Sequence, residues 1–357
     1  MAYQGLLTID GVIRPNQFWP EGKADGDTVK ITLLKGTKPF RFRKKPTGTA
    51  STVTLYDKAR SHDSKTFSEK YSKNVVHDVP GKPNAGTRYV TIRMQGIDAP
   101  ELHYKIYDGR QIIKLQDRKA NIEYYQPLSA SAATVIRRLI EAVGTDDELP
   151  CQFRTRIDKP DQAIDKYGRF VGDIFIKVGG VDVNVNNAML EQGLALPAFY
   201  ETMRREEVTE KIAASTLGGK VPNRLGKHYR NKVGTLNKAL KFENLTKAAN
   251  KNGFKVGSDK GHVILPKLFR RLVTFTILKD GKAQPKPPAT YRQYLAQDSS
   301  LDEILLTKEF LKGGRRRPRS FLTYFKNDKL LLQPGEFVLR DAPSYLFTEK
   351  GTPISKW

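Results

Sequence analysis

The chain has 357 residues, with 62 Lys and Arg against 38 Asp and Glu, a net charge of +24, and 38% hydrophobic residues. That length accommodates two domains with their own cores. The absence of any run near 18 apolar residues excludes a membrane span, and a single cysteine, Cys151, excludes an intramolecular disulfide and a cysteine-based zinc site. The opening residues MAYQGLLTIDGVIR carry no basic region followed by an apolar run, so no secretory signal is expected and the expected location is cytoplasmic. A surplus of positive charge this large points to a polyanionic partner, because neutralising phosphates releases counterions. It is concentrated in the rear: residues 1–200 carry 30 basic and 23 acidic side chains, and residues 201–357 carry 32 and 15. The plainer alternative for the charge alone is solubility or association with membranes or other acidic surfaces.

In chain order, the first 35 residues read as strands, with Val29, Ile31 and Leu33 alternating after the turn Asp25-Gly26-Asp27. Residues 36–86 are polar, include the basic run Arg41 to Lys45, and read as an insertion made of a hairpin extension and a loop. Alternation returns at 89–94, with Val90, Ile92 and Met94 on one face and Tyr89, Thr91 and Arg93 on the other. A helix is expected from about Pro127 to Gly144, with Leu128, Ala132, Val135, Ile136, Leu139, Ile140 and Val143 at helical spacing. Strands follow near 151–157 and 170–178, then a short helix over 185–194 closed by Gly193. Strands first and helices after argue for a small barrel with helices on its side, not a βαβ sheet.

From Met203 the pattern is charged and helical, and it loosens through 250–261. An apolar helix is expected near Leu265, with Leu268, Phe269, Leu272 and Val273 in register, broken off by 284–288. Residues 329–339 read as a terminal hairpin. The expected organisation is a front domain at 1–215, a basic helical connector at 216–261 and a small α+β domain at 262–357.

The densest chemistry lies in Arg93-Met94-Gln95-Gly96-Ile97-Asp98-Ala99-Pro100-Glu101. A strand delivers a guanidinium, and a turn stiffened by Pro100 presents two carboxylates three residues apart. Asp98 and Glu101, with the Ala99 carbonyl and Asp27 at the head of another strand, form an oxygen-rich set suited to calcium or magnesium and not to zinc. The turn Asp165-Lys166-Tyr167-Gly168-Arg169 offers a second guanidinium beside an ammonium and a phenol. Two arginines and a cation would clamp a pentavalent phosphate, with Glu101 orienting or deprotonating the attacking water. Each piece has a plainer reading as a cap, a turn or a solvated carboxylate; the combination in order is the informative part.

These motifs resemble the staphylococcal nuclease (thermonuclease) family. The likeness runs through Asp25-Gly26-Asp27-Thr28-Val29, Arg93 and Asp98 to Glu101, Asp165 to Arg169, and Met189-Leu190-Glu191-Gln192-Gly193-Leu194-Ala195, over about 5–215 with 36–86 excluded. It implies a five-stranded OB-fold barrel with flanking helices, and calcium-dependent hydrolysis of DNA and RNA leaving 3′-phosphates. It further implies Asp27 and Asp98 as calcium ligands with the Ala99 carbonyl beside them, and Glu101 holding or activating the water. Arg93 and Arg169 would stabilise the phosphate, and Lys166 and Tyr167 would contact a terminal phosphate. A further tyrosine of the family falls at Phe199 by strict spacing, with Tyr200 beside it.

Outside that likeness, Arg41, Arg43, Lys44 and Lys45 either extend a nucleic-acid groove or shield a sheet edge. Arg315, Arg316, Arg317 and Arg319, followed by Phe321, Tyr324 and Phe325, suit single-stranded nucleic acid, with the aromatics read as core and the arginines as the binding part. Lys227, Arg230, Lys232 and Lys238 add to the positive field. Against the nuclease stand two other classes: a nucleic-acid-binding barrel without activity, and the nuclease part of a toxin or defence effector whose rear domain binds a protein partner.

Overall fold

The computed structural model describes residues 5–19, 21–22, 24–34, 41–43, 52–54, 58–78, 88–105, 123–144, 148–157, 159–222, 224–229, 263–280, 288–297, 303–313, 317–326, 329–340 and 344–355. Five strands form its front: β1 (Gly5–Ile13), β2 (Thr28–Leu33), β3 (Arg88–Met94), β4 (Leu149–Ile157) and β5 (Phe170–Val178). β1 pairs with β2, β2 with β3, and β4 with β5, all antiparallel, while β3 runs parallel to β5. The ring is closed by β1 against β4, paired from Gly5↔Ile157 to Ile13↔Leu149. Closure removes the free edges that a small sheet would otherwise expose. This is the five-stranded barrel expected from the sequence.

The period-2 pattern explains the inside of the barrel. Leu7, Ile9, Val29, Ile31, Val90, Ile92, Met94, Phe153 and Ile174 are all buried in one cluster. Burying each such side chain is worth about 1.5–3 kcal/mol. The opposite face of β3 carries Tyr89, Thr91 and Arg93 toward an open cleft. Helix α1 (Ser129–Val143) lays Ala132, Ile136 and Ile140 on the barrel and ends at Gly144, as the spacing indicates. Helix α2 (Val185–Glu191) adds Met189 and Leu190 to the same core, and α3 (Arg205–Gly218) packs beside it.

The rear of the chain is stitched onto this barrel. Helix α4 (Pro266–Asp280) buries Leu268, Phe269, Leu272 and Val273 in a second cluster together with Tyr291 and Leu295 of α5 (Tyr291–Gln297). Strand Phe337–Leu339 runs parallel to Leu196–Tyr200 and antiparallel to Glu303–Leu306. Strand Tyr345–Phe347 pairs with Arg60–His62 of the insertion. Strand pairing therefore crosses the boundary drawn at 262.

The hairpin expected over 329–339 does not form. Lys329–Leu330 turns back on Phe325–Lys326 instead, and Phe337–Leu339 goes to the mixed sheet. All three residues of that strand are buried, so it needs cover on both faces, which a terminal hairpin would not provide.

The insertion begins as the expected hairpin, Arg41–Arg43 on Thr52–Thr54, laid against β1. It returns through Val76–Asp78, which pairs with β3. Lys44, Lys45, Arg315, Arg316, Arg230, Lys232 and Lys238 lie outside the described residues, as do the side chains of Arg41, Arg43 and Lys227. Among the described residues no helix is long and apolar enough to cross a membrane.

Candidate active site

The cleft beside β3 has a volume of about 1150 Å³. Two tight turns build its floor. Asp25-Gly26-Asp27 enters β2, and the segment after β3 presents Asp98 to Glu101. The turns abut: a Cβ on Gly26 would come 2.9 Å from the Ala99 Cβ, so only glycine lets them approach. Arg93 joins them. Its guanidinium lies 2.7 Å from Asp27 Oδ2 and donates to Asp98 Oδ1 at 2.9 Å. The Ala99 N–H donates to Asp27 Oδ2 at 3.3 Å.

These groups are deeply buried, and their protonation follows. Burial works against the charge of Arg93, but Asp27 and Asp98 outweigh it and raise its pKa. Burial pushes the Glu101 carboxyl up to about 8 against the pull of Arg270, with Asp25, Asp98 and Asp27 adding repulsion. Burial, then the like charge of Asp27, pushes Asp25 up to about 6. Asp98 is raised by burial in the same way. Crowded buried carboxyls with raised pKa values mark a candidate functional site, and a cation bound among them would favour their ionised forms.

The other wall carries the second motif. Asp165 organises its own turn, accepting from the Tyr167 and Arg169 N–H groups at 2.9 and 3.0 Å and from Arg169 Nε at 2.7 Å. Gly168 sits at φ +82°, and a Cβ there would meet the Asn74 carbonyl at 2.5 Å, so the insertion packs directly on this turn. Lys166 and Arg169 both stand about 5.4 Å from the ring of Tyr167, which remains 59% exposed. Lys166, Tyr167 and Arg169 share the cleft with Arg93 and Glu101, but Arg169 is tied to Asp165 and not to the buried carboxylates. Strand alternation separates the two candidate aromatics: Phe199 is fully buried in the cluster of Met203 and Val338, whereas Tyr200 lines the cleft and acts electrostatically on Arg93. Arg317 and Arg319 do not line it; Arg319 donates to the Tyr324 hydroxyl at 2.8 Å. Phe321 and Phe325 are core.

Residues 91–216 match the family of staphylococcal nuclease homologues. No curated protein matches the chain. The matched segment, called here the nuclease-homologue domain, thus spans Arg93, Asp98, Ala99, Glu101, Lys166, Tyr167, Arg169 and Tyr200. Asp25, Asp27, Thr28, His77 and Tyr89 of the lining precede the matched residues, and a wall of Lys267, Arg270, Arg271, Arg340 and Ser344 follows them.

That wall is what sequence reasoning missed. Arg270 of α4 forms an ion pair with Glu101 Oε1, and Lys267, Arg271 and Arg340 line the same cleft. Fully buried Gln126 ties the elements together, accepting from the Glu101 N–H at 3.1 Å and donating to the Ile264 carbonyl at 2.8 Å. The signal was present in α4 as basic residues at 267, 270 and 271, opposite its apolar stripe. In the sequence Asp25 shows only as part of the turn before β2.

The donor set is all oxygen and fits a hard cation. Asp25 Oδ1 is buried without a hydrogen-bond partner beside it. Among the described residues no three His, Cys, Asp or Glu side chains are grouped to hold a metal ion; Arg93 stands between Asp27 and Asp98.

Proposed function

We propose that the protein is a metal-dependent nuclease that hydrolyses phosphodiester bonds of DNA, RNA or both. The single observation supporting this reading most strongly is the Arg93 guanidinium bridging buried Asp27 and Asp98 at the mouth that also holds Glu101 and Arg169. Asp27, Asp98 and the Ala99 carbonyl would hold calcium, with Glu101 acting through water. A bound divalent cation supplies charge neutralisation at the phosphoryl oxygens.

Glu101 takes the proton of the attacking water. The ionised Glu101 carboxylate that accepts this proton would be favoured by a divalent cation bound beside it, against the burial that pushes it up to about 8. Arg93 and Arg169 donate to the phosphoryl oxygens as negative charge builds. The P–O5′ bond breaks, the 5′-oxygen leaves as an alkoxide that takes its proton from solvent, Glu101 returns its proton to solvent, and the 3′ side keeps the phosphate. Lys166, Tyr167 and Tyr200 hold neighbouring parts of the strand. The test is end-group analysis of a labelled oligonucleotide digested by wild type, Glu101→Gln and Arg93→Ala. Three-prime phosphates from wild type and a loss of at least about a hundredfold in both variants support the reading; 5′-phosphates or unimpaired variants contradict it.

One observation favours a second reading, nucleic-acid binding without cleavage: Glu101 is already engaged by Arg270. Folded wild type that binds oligonucleotides in a salt-dependent manner but never cuts them would establish it.

A further inference from the structure

Helix α4 is amphipathic in an uncommon sense. Leu268, Phe269, Leu272 and Val273 face its own core, while Lys267, Arg270 and Arg271 stand at i, i+3 and i+4 on the other side and line the cleft. The helix is fixed there at three points: Gln126 on Ile264, Arg270 on Glu101, and the Tyr104 hydroxyl 2.8 Å from Thr274 Oγ1. Its basic face therefore lines the same cleft as the Lys166–Arg169 turn.

We propose that this face is a second phosphate subsite, in which Lys267 and Arg271 take backbone phosphates of a bound nucleic-acid strand flanking the one at Arg93. The proposal rests on the nuclease reading for the identity of the strand, but the subsite is defined by residues outside the nuclease-homologue domain. A cleft of about 1150 Å³ exceeds the ~300–1,000 Å³ of ordinary small-ligand pockets, and cations contributed to it by two separate segments, Lys166 and Arg169 and the α4 basic face, suit a polyanionic strand. Arg270 has a different part: it is a positioning residue that holds the Glu101 carboxylate.

The test is equilibrium binding of fluorescein-labelled oligothymidylates, an octamer and a dimer, to the full chain in chelator, between 50 and 200 mM salt. In the double variant Lys267→Gln/Arg271→Gln the salt slope for the octamer is expected to fall by about 1.4, from ~0.7 per lost phosphate contact on a single strand. The wild-type advantage then shrinks about sevenfold across that salt range, while dimer binding stays within about twofold. Lys267→Arg/Arg271→Lys, which keeps both charges, should keep the slope and so separates charge from folding. An unchanged octamer slope, or equal losses on octamer and dimer, overturns the subsite. The two readings fail separately. A lost slope in a chain that never cleaves leaves the subsite standing and the nuclease reading fallen, and efficient cleavage with an unchanged slope does the reverse.

Discussion

Arg270 of helix α4 is ion-paired with Glu101, 169 positions earlier in the chain. Glu101 sits in the turn that follows a barrel strand, so this buried carboxylate is held by a residue outside the matched segment. Removing Arg270 leaves Glu101 buried without its nearest cation. Arg270→Ala is expected to destabilise the fold by about 1–2 kcal/mol in urea unfolding. That is less than the ~3–5 kcal/mol of a fully buried pair, because the Arg270 side chain keeps 37% of its exposure and solvent screens it.

Arg93 is the stricter case. Its side chain is only 14% exposed and serves two buried carboxylates. Arg93→Met should cost about 3–5 kcal/mol, measured by the urea midpoint at pH 7. A loss under about 1 kcal/mol would show that Asp27 and Asp98 do not depend on it.

Stability should also vary with pH in a definite direction. A carboxyl pushed up from 4.5 to about 8 in the folded state binds its proton more tightly there than in the unfolded chain. Its contribution is complete below pH 4.5 and is lost as pH rises toward 8. Asp25, at about 6, acts in the same sense between 3.8 and 6. In chelator, the melting temperature is expected to fall from pH 5 to pH 8, and Glu101→Gln is expected to flatten that slope. A rising profile in wild type would place Glu101 outside the buried cluster.

Asp25 carries an unpartnered buried oxygen next to Asp27. Asp25→Asn should raise the melting temperature without calcium by relieving repulsion, and should reduce the stabilisation that calcium confers. Saturating a site at 100 times its Kd is worth about 2.7 kcal/mol, enough to read by calorimetry. An unchanged calcium response would remove Asp25 from the cation's surroundings.

Gln126 connects the Glu101 turn to the start of α4. Gln126→Leu leaves the Glu101 N–H and the Ile264 carbonyl unsatisfied in the interior, at about 1–3 kcal/mol each. The expected outcome is a urea midpoint lowered by the equivalent of about 2–6 kcal/mol, together with reduced cleavage; full activity with lowered stability would limit Gln126 to folding.

The barrel and the residues around Arg93 were legible because both depend on short-range pattern. Strand alternation put Val90, Ile92 and Met94 inside and Arg93 outside, and the turns carrying Asp27, Asp98 and Glu101 are local. The pairing of Tyr200 rather than Phe199 with the cleft follows from the same period of two, once the strand's inner face is known. Arg270, Gln126 and the fate of 337–339 were not legible. Each depends on contacts made across a hundred residues or more, which periodicity does not encode: Phe337–Leu339 reads as a hairpin arm until Leu196–Tyr200 is seen to need a neighbour.

The most direct measurement is the degradation of denatured DNA and of RNA by the full chain with calcium, with magnesium and with chelator. Cutting that requires a divalent cation and disappears in Glu101→Gln is the expected result. Folded wild type that binds both polymers yet leaves them intact under every condition would contradict the assignment of a nuclease.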